Sequence, residues 1–325
     1  MWTEETFKLV RDGVDAARAC QILDLEGSWE SKVEDRASEI GEVERTTRSQ
    51  LNIVIFHVKI PDEVSKIDSP DIRGGDHSAV DYEALLSLNI DICKWSQPNA
   101  NIFVLTDDRF YIDLKEYENL HVIRLNVKRE EPMFERVLTM YSFLKSKYSS
   151  FPTIFLDIDA FILSPLSSLF QNNFDIGLTH RHIVGQMSIN EGVVFANNLS
   201  LENTRKFFES YLASYLELEK SERIKSIYKN IRRWRGGQLA INAAAGGNQF
   251  YSTSNQTTSY GCRIAYLPCS KYNLSQINEK EVNPELRNRT SILHLKGNRK
   301  GWVNNLIASL AYYGFSTNLS KKYFS

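Results

Sequence analysis

Two carboxylates, Asp157 and Asp159, stand one residue apart at the end of the apolar run in "TIFLDIDAFILSPL", residues 153–166. Thr153 to Leu156 is β-branched and aromatic, the composition of a buried strand. Side chains two apart on a strand share a face, so the two aspartates are expected to project side by side. Close carboxylates repel unless a cation or a shared proton lies between them. A divalent ion is the usual reason for such a pair, although a lone Asp-x-Asp in 325 residues is near chance and takes its weight from standing at a strand end. Two other groups invite a metal reading. His180 and His182 in "THRH" have a spacing that occurs in zinc sites, but no third ligand lies nearby. Cys20, Cys93, Cys262 and Cys269 lack metal-type spacing; free thiols are expected, with a Cys262–Cys269 pair across a hairpin as the alternative.

The elements that must carry the aspartates read as alternating strands and helices. "LNIVIFHVKI" (51–60), "NIFVLTDD" (101–108) and "LHVIRLNV" (120–127) read as buried strands, and "AVDYEALLSLNIDICKW" (79–95) has helical periodicity. "EPMFERVLTMYSFLKSKY" (131–148) is a helix with Pro132 in its first turn. This alternation predicts an α/β three-layer sandwich with a mostly parallel central sheet. Ligands of such sheets sit at the carboxyl ends of the strands, where Asp157 and Asp159 lie. "FDIGLTH" (174–180), "GVVFANN" (192–198) and "SILHLKG" (291–297) are strand-like, the last running into a glycine turn. "RRWRGGQLAINAAAGG" (232–247) reads as a loop entering a short helix, and the basic run "KNIRRWRGG" (229–237) as a solvated loop. Residues 1–50 are charged and helix-forming, two stretches joined at Gly27, and are expected to be a helical arm before a main domain over 51–325. That domain divides into a regular half, about 51–160, and a less regular one, about 161–325.

Composition narrows the function. The net charge is -1, with 24% charged and 42% hydrophobic residues, which indicates no general nucleic-acid surface. No apolar run reaches the roughly 18–20 residues of a membrane span. The amino terminus does not resemble a signal peptide, so a cytoplasmic location, or one peripheral at a membrane, is expected. Five Asn-x-Ser/Thr matches, at Asn198, Asn255, Asn273, Asn288 and Asn318, are then chance occurrences. Oligomeric state is not legible, and the amino-terminal helices are candidates for self-association.

"FLDIDAFILSPLSSLF" resembles the Asp-x-Asp segment of the GT-A fold glycosyltransferases, in particular the glycogenin-like group (family 8) and related nucleotide-diphospho-sugar transferases. Three further segments are similar in the same order: "INEGVVFAN" (189–197), "GGQLAIN" (236–242) and "HLKGNRKGW" (294–302). The resemblance spans about residues 51–302 and implies a GT-A-like fold, with a nucleotide-binding half over about 51–160 and a donor-sugar and acceptor half over about 161–325. It implies transfer of a sugar from a nucleotide-diphosphate donor, a UDP-sugar, to a glycan or other hydroxyl acceptor. It also implies a divalent ion, Mn²⁺ or Mg²⁺, held by Asp157, Asp159 and His294, and a mixed oxygen and imidazole shell suits Mn²⁺. Lys300, or Arg299 in its place, would meet the distal phosphate, and Gly297 would let the backbone approach it. Arg136, Asp157, Ile158, Asn190 and Gly192 match positions that touch the donor. His57 and Val58 match the seat of the base. Asp107 and Asp108 either contact the nucleotide or cap a helix.

The chain departs from the pattern beside the sugar. Gly237 stands where an aspartate precedes the glutamine, and Glu191 where a small residue is usual. One carboxylate lost and one gained makes Glu191 and Gln238 the catalytic candidates and leaves the stereochemical outcome open; the bland alternative has Glu191 paired with Arg181. The change at Gly237 also supports a rival, a binding protein that no longer catalyses. A haloacid-dehalogenase-like phosphatase also uses Asp-x-Asp after a strand. It calls for Thr or Val where Phe161 stands. "HVKIPDEV" after the first strand lacks the Gly-x-Gly-x-x-Gly of a dinucleotide site.

Overall fold

A computed structural model describes residues 27–42, 51–61, 81–110, 119–181, 188–228, 230–233, 235–246 and 255–317. Ten strands form in chain order: β1 Leu51–His57, β2 Ala100–Thr106, β3 Leu120–Arg124, β4 Thr153–Leu156, β5 Ala160–Ile162, β6 Ile176–His180, β7 Ile189–Ala196, β8 Gln256–Thr257, β9 Arg263–Pro268 and β10 Ile292–His294. The helices that matter here are α1 Gly27–Gly41, α2 Tyr82–Ser96, α3 Pro132–Lys145, α4 Leu201–Lys220, α5 Gly236–Ala244 and α6 Val303–Ala311.

Eight strands make one mixed sheet in the order β3-β2-β1-β4-β7-β6-β9-β8, and β5 and β10 pair separately. The β3-β2-β1-β4 half is parallel throughout. β7 runs antiparallel to both its neighbours, β4 and β6. Side-chain alternation divides the core in two. Ile53, Ile55, Ile102, Val104, Ile154 and Leu156 pack with Leu86 and Ile90 of α2. Val54, Phe103, Leu105 and Phe155 pack with α3, α4 and α5 on the other face. Helices therefore cover both faces of a mostly parallel sheet, as the alternation predicts. A third cluster joins the far side of α2 to β10 and α6 through Leu85, Leu293, Leu306 and Leu310. One expectation fails at the edge. β3 is only partly buried, because it is the last strand of the sheet and has a neighbour on one side alone.

Local signals place the ends. Asp81 caps α2 by accepting from the main-chain N–H of Glu83 and Ala84, at 3.0 and 2.9 Å, a contact of about 1 kcal/mol. Pro132 opens α3. Its next two N–H groups, of Met133 and Phe134, donate to Arg232 O. The basic run is thus no solvated loop. Arg232 bonds Glu131 and Glu219 and lies over the Phe134 ring, because one cation serves two carboxylates and an aromatic face at once. In the described part of the arm, α1 packs on α3, with Val33 and Ile40 in the same core cluster as the sheet. No described helix is long and apolar enough to cross a membrane.

Candidate active site

β4 ends at Leu156, and Asp157 to Asp159 form a tight turn into β5, closed by Ala160 N–H on Asp157 O at 3.0 Å. The two aspartates are therefore brought together by a turn rather than by strand alternation. Asn89 of α2, fully buried, holds that turn by donating to Ile158 O at 2.8 Å and Ala160 O at 2.9 Å. The half-buried side chain of Ile158 packs against two of the hydrophobic clusters, so what it offers this turn is its backbone. β5 pairs antiparallel with β10, which sets His294 opposite Ala160. A residue 135 positions after Asp159 thus arrives beside it. His294 Nε2 lies 2.9 Å from Asp159 Oδ1 and 3.7 Å from Asp157 Oδ2. Among the described residues this is the only cluster of metal-ligating side chains.

Each carboxylate keeps one oxygen for His294 and gives the other to a cation. Lys300 Nζ is 2.7 Å from Asp159 Oδ2, and Arg136 Nη2 is 3.0 Å from Asp157 Oδ1. Burial pushes the Asp159 carboxyl up, but His294 and Lys300, both within bonding distance, outweigh this and hold it well below the usual carboxylate range. Lys300, not Arg299, makes this contact. Gly297 begins the short turn that carries Lys300, and its φ of +60° is a conformation that favours glycine.

A chain of hydrogen bonds fixes the imidazole. Asn190 O can only accept, and the Thr179 hydroxyl donates to it at 2.7 Å. Thr179 Oγ1 therefore accepts from Asn273 Nδ2, at 2.8 Å. That turns Asn273 Oδ1 to His294 Nδ1, 2.8 Å away, which must carry the proton. Burial, with Lys296 nearby, lowers His294 below its ordinary value and favours the neutral ring. With the ring neutral, Nε2 and the two carboxylate oxygens are donors that could hold a cation between them. Gly192 makes room for this arrangement: a Cβ there would overlap His294 Cε1 and stand 2.7 Å from Asp157 Oδ2.

Glu191 is the third carboxylate. It does not pair with Arg181. Tyr211 donates to its Oε2 at 2.8 Å, and Arg136 Nη1 is 3.6 Å from the same oxygen. Burial, and then Asp157, raise its carboxyl above the ordinary value against the pull of Arg136 and Tyr211. A Cβ at Gly237 would overlap Glu191 Oε2. The Glu191 carboxylate thus fills the place that a side chain at 237 would take. Gln238, next in α5, is half-buried, and its main-chain O accepts from Asn242 at 2.7 Å.

The remaining candidates lie at the ends of β1 and β2. Val58 is buried. His57 stacks on Tyr82 and meets Phe110 edge-on, and burial lowers it to about 4. Both Asp107 oxygens are taken by main-chain N–H groups, of Lys59 at 2.9 Å and Arg109 at 2.8 Å, so its carboxylate ties the two strand ends together. His182 and Cys20 lie outside the described residues. Cys93, Cys262 and Cys269 are free thiols. Sequence reasoning passed over Asn89, Tyr211 and Lys296, named Arg181 only as an alternative partner of Glu191, and took Asn273 only for a chance glycosylation match. Lys296 had a signal, its place between His294 and Gly297; the others are isolated polar residues in apolar segments.

No family model matches the chain, and no curated protein is similar to it. Among solved structures, the chain is similar to the apo form of the bifunctional glycosyltransferase WbbM, at 11% identity and a TM-score of 0.46. It is similar to the galactosyltransferase LgtC with donor and acceptor sugar analogues, at 13% and 0.42 over 84% of this chain and 100% of that one. It is also similar to apo GlyE of Streptococcus pneumoniae TIGR4, at 11% and 0.48 over 82% of this chain. The WbbM match covers 84% of this chain, which spans about half (53%) of WbbM and 63% of GlyE.

Proposed function

We propose that the chain is a metal-dependent glycosyltransferase that moves a sugar from a nucleoside-diphosphate donor, a UDP-sugar, to a saccharide or other hydroxyl acceptor. The observation that carries this reading is geometric: His294 Nε2 converges with one oxygen of each of Asp159 and Asp157, at 2.9 and 3.7 Å. Asp157, Asp159 and His294 are the ligands, and their oxygen and imidazole donors suit Mn²⁺ ahead of Ca²⁺. The ion's chemistry is charge neutralisation on the departing diphosphate. Lys300 binds the distal phosphate, and Arg136 steadies Asp157 and Glu191 on the donor side. The base is seated near His57, Val58 and Tyr82.

Transfer breaks the bond between the anomeric carbon and the diphosphate oxygen, which keeps the electron pair. A new bond forms to the acceptor oxygen, whose proton must leave. Glu191 is the carboxylate placed to take that proton or to stabilise positive charge at the anomeric carbon, with Gln238 positioning the donor sugar. A purely binding role loses its main support, since the carboxylate missing at Gly237 has a substitute in the same space. The reaction is proposed to take place in the cytoplasm or at the periphery of a membrane.

The deciding experiment is a thermal shift with UDP and UDP-sugars, with and without Mn²⁺, on the wild type and Asp159→Asn. A ligand that binds only the native state stabilises it by RT ln(1 + [L]/Kd). Stabilisation by nucleotide should appear only with Mn²⁺ and be lost in Asp159→Asn. Nucleotide binding indifferent to both rejects the reading.

A further inference from the structure

Four cationic side chains and three carboxylates meet around the site, and the mismatch is local. Arg136 serves Asp157 and Glu191, and Lys300 serves Asp159. Arg181 and Lys296 have no carboxylate partner within ion-pair distance among the described residues. Lys296 Nζ donates only to Asn190 Oδ1, at 2.8 Å. Arg181 leaves the end of β6, its N–H on Ser188 O at 2.8 Å, with its Nε buried and unbonded. Asn190 Nδ2, fully buried, is also unbonded. Burial is the largest cause that lowers Lys296; Asp157 pulls it back up, Arg181 lowers it further, and Asp159 and Glu191 act in the direction of Asp157. Cys269 lies near both Arg181 and Lys296, but burial keeps it a thiol and it supplies no negative charge.

A fold gains nothing from this. A buried donor left unmade costs about 1–3 kcal/mol, and like charges out of water repel. In the ground state the three carboxylates of the site match three of its four cations, and a divalent ion would be matched by the roughly two negative charges of a bound nucleoside-diphosphate donor. The further charge that the diphosphate gains on leaving arises only during transfer, so before it one cation among the described residues has no counter-charge.

We infer that Arg181, Lys296 and the Asn190 amide form an anion subsite that takes a carboxylate or phosphate borne on the saccharide substrate. This rests on the transferase reading and adds the substrate class: one of the two sugars is acidic. The distal-phosphate contact is assigned to a different cation, Lys300, which bonds Asp159 Oδ2. Arginine offers the anion a planar pair of donors, and Asn190 Nδ2 adds a neutral one.

The test compares ligands that differ by one anionic group, with Mn²⁺ present. The donor series is UDP-glucose against UDP-glucuronate. The acceptor series, titrated into the UDP complex, is methyl glucoside against glucuronate and glucose 6-phosphate. In one series the anionic member should bind at least about tenfold more tightly, the usual worth of a charge-assisted pair. That ratio should fall toward one in Arg181→Gln and, independently, in Lys296→Met. Preference in the donor series puts the acid on the transferred sugar; preference in the second puts it on the acceptor. Bound UDP with no anionic preference in either series overturns the subsite alone, as does a preference that survives both substitutions. If UDP and every sugar fail to bind, the transferase reading falls and this inference with it.

Discussion

Glu135 and Arg136 are neighbours on α3, both buried, and they do opposite things with their charge. Glu135 closes every bond: Lys32 donates to Oε1 at 3.0 Å and Arg36 to Oε2 at 2.7 Å. Arg36 also donates to Thr139 Oγ1 and Asn126 O. Arg136, roughly 100° around the helix, reaches Asp157 and the Glu191 carbonyl through Nη2 and leaves Nη1 without a hydrogen bond. A buried charge whose bonds all close holds the fold together. One that keeps donors open holds a place for something else.

The largest effect is expected on the closed side. Glu135→Ala strands Arg36 as an unpaired buried cation, which costs about 3–5 kcal/mol of stability. Denaturant unfolding measures this, while Mn²⁺-dependent nucleotide binding per folded molecule should stay near wild type. Binding lost in step with Glu135 would show that α1 is part of the site. On the open side, Glu191→Gln should leave stability nearly unchanged and lower kcat by about 100-fold or more, the lower range for a lost acid or base. Donor affinity should move little. Turnover at the wild-type rate would make Glu191 structural.

How much of this was legible beforehand follows the same division. The continuous apolar runs of β1, β2 and β4 marked them as buried strands, because a strand covered on both faces buries nearly every residue. Asp157 and Asp159 stood out by their spacing at a strand end, and His294 and Lys300 by the resemblance of one short segment to a family motif. Even there, the turn at 157–159 was read as strand, since nothing in "LDIDA" marks the chain as reversing. What stayed hidden depends on tertiary partners. Asn273 looks like any loop asparagine until β10 lays His294 against it, and Arg181 is an ordinary cation until its surroundings offer no acid. Edge position hid the exposure of β3 for the same reason.

Asn273 offers the next test. Asn273→Leu removes the acceptor that keeps the proton on Nδ1, and Mn²⁺ affinity should fall about 10–100-fold, the usual worth of an outer partner of a ligating histidine. Asn273→Asp preserves an acceptor and should retain most of the affinity. Titration of free Mn²⁺ by its paramagnetic resonance signal measures both without any turnover. Equal affinities for the two variants would separate His294 from the metal.

The smallest effect on stability is expected at Gly237, and it sharpens the contrast most. Gly237→Ala sets a methyl group where Glu191 Oε2 now lies. What must give is the free end of a flexible side chain rather than backbone, so the loss should stay within about 1 kcal/mol. Yet the displaced carboxylate must loosen its bond from Tyr211 or its approach to Arg136. If Glu191 acts on substrate, kcat should fall toward the Glu191→Gln level with folding almost untouched. A loss of several kcal/mol would place Glu191 with Glu135, as a charge that holds the fold. Unchanged kcat would mean that its position beside Gly237 has no bearing on the reaction.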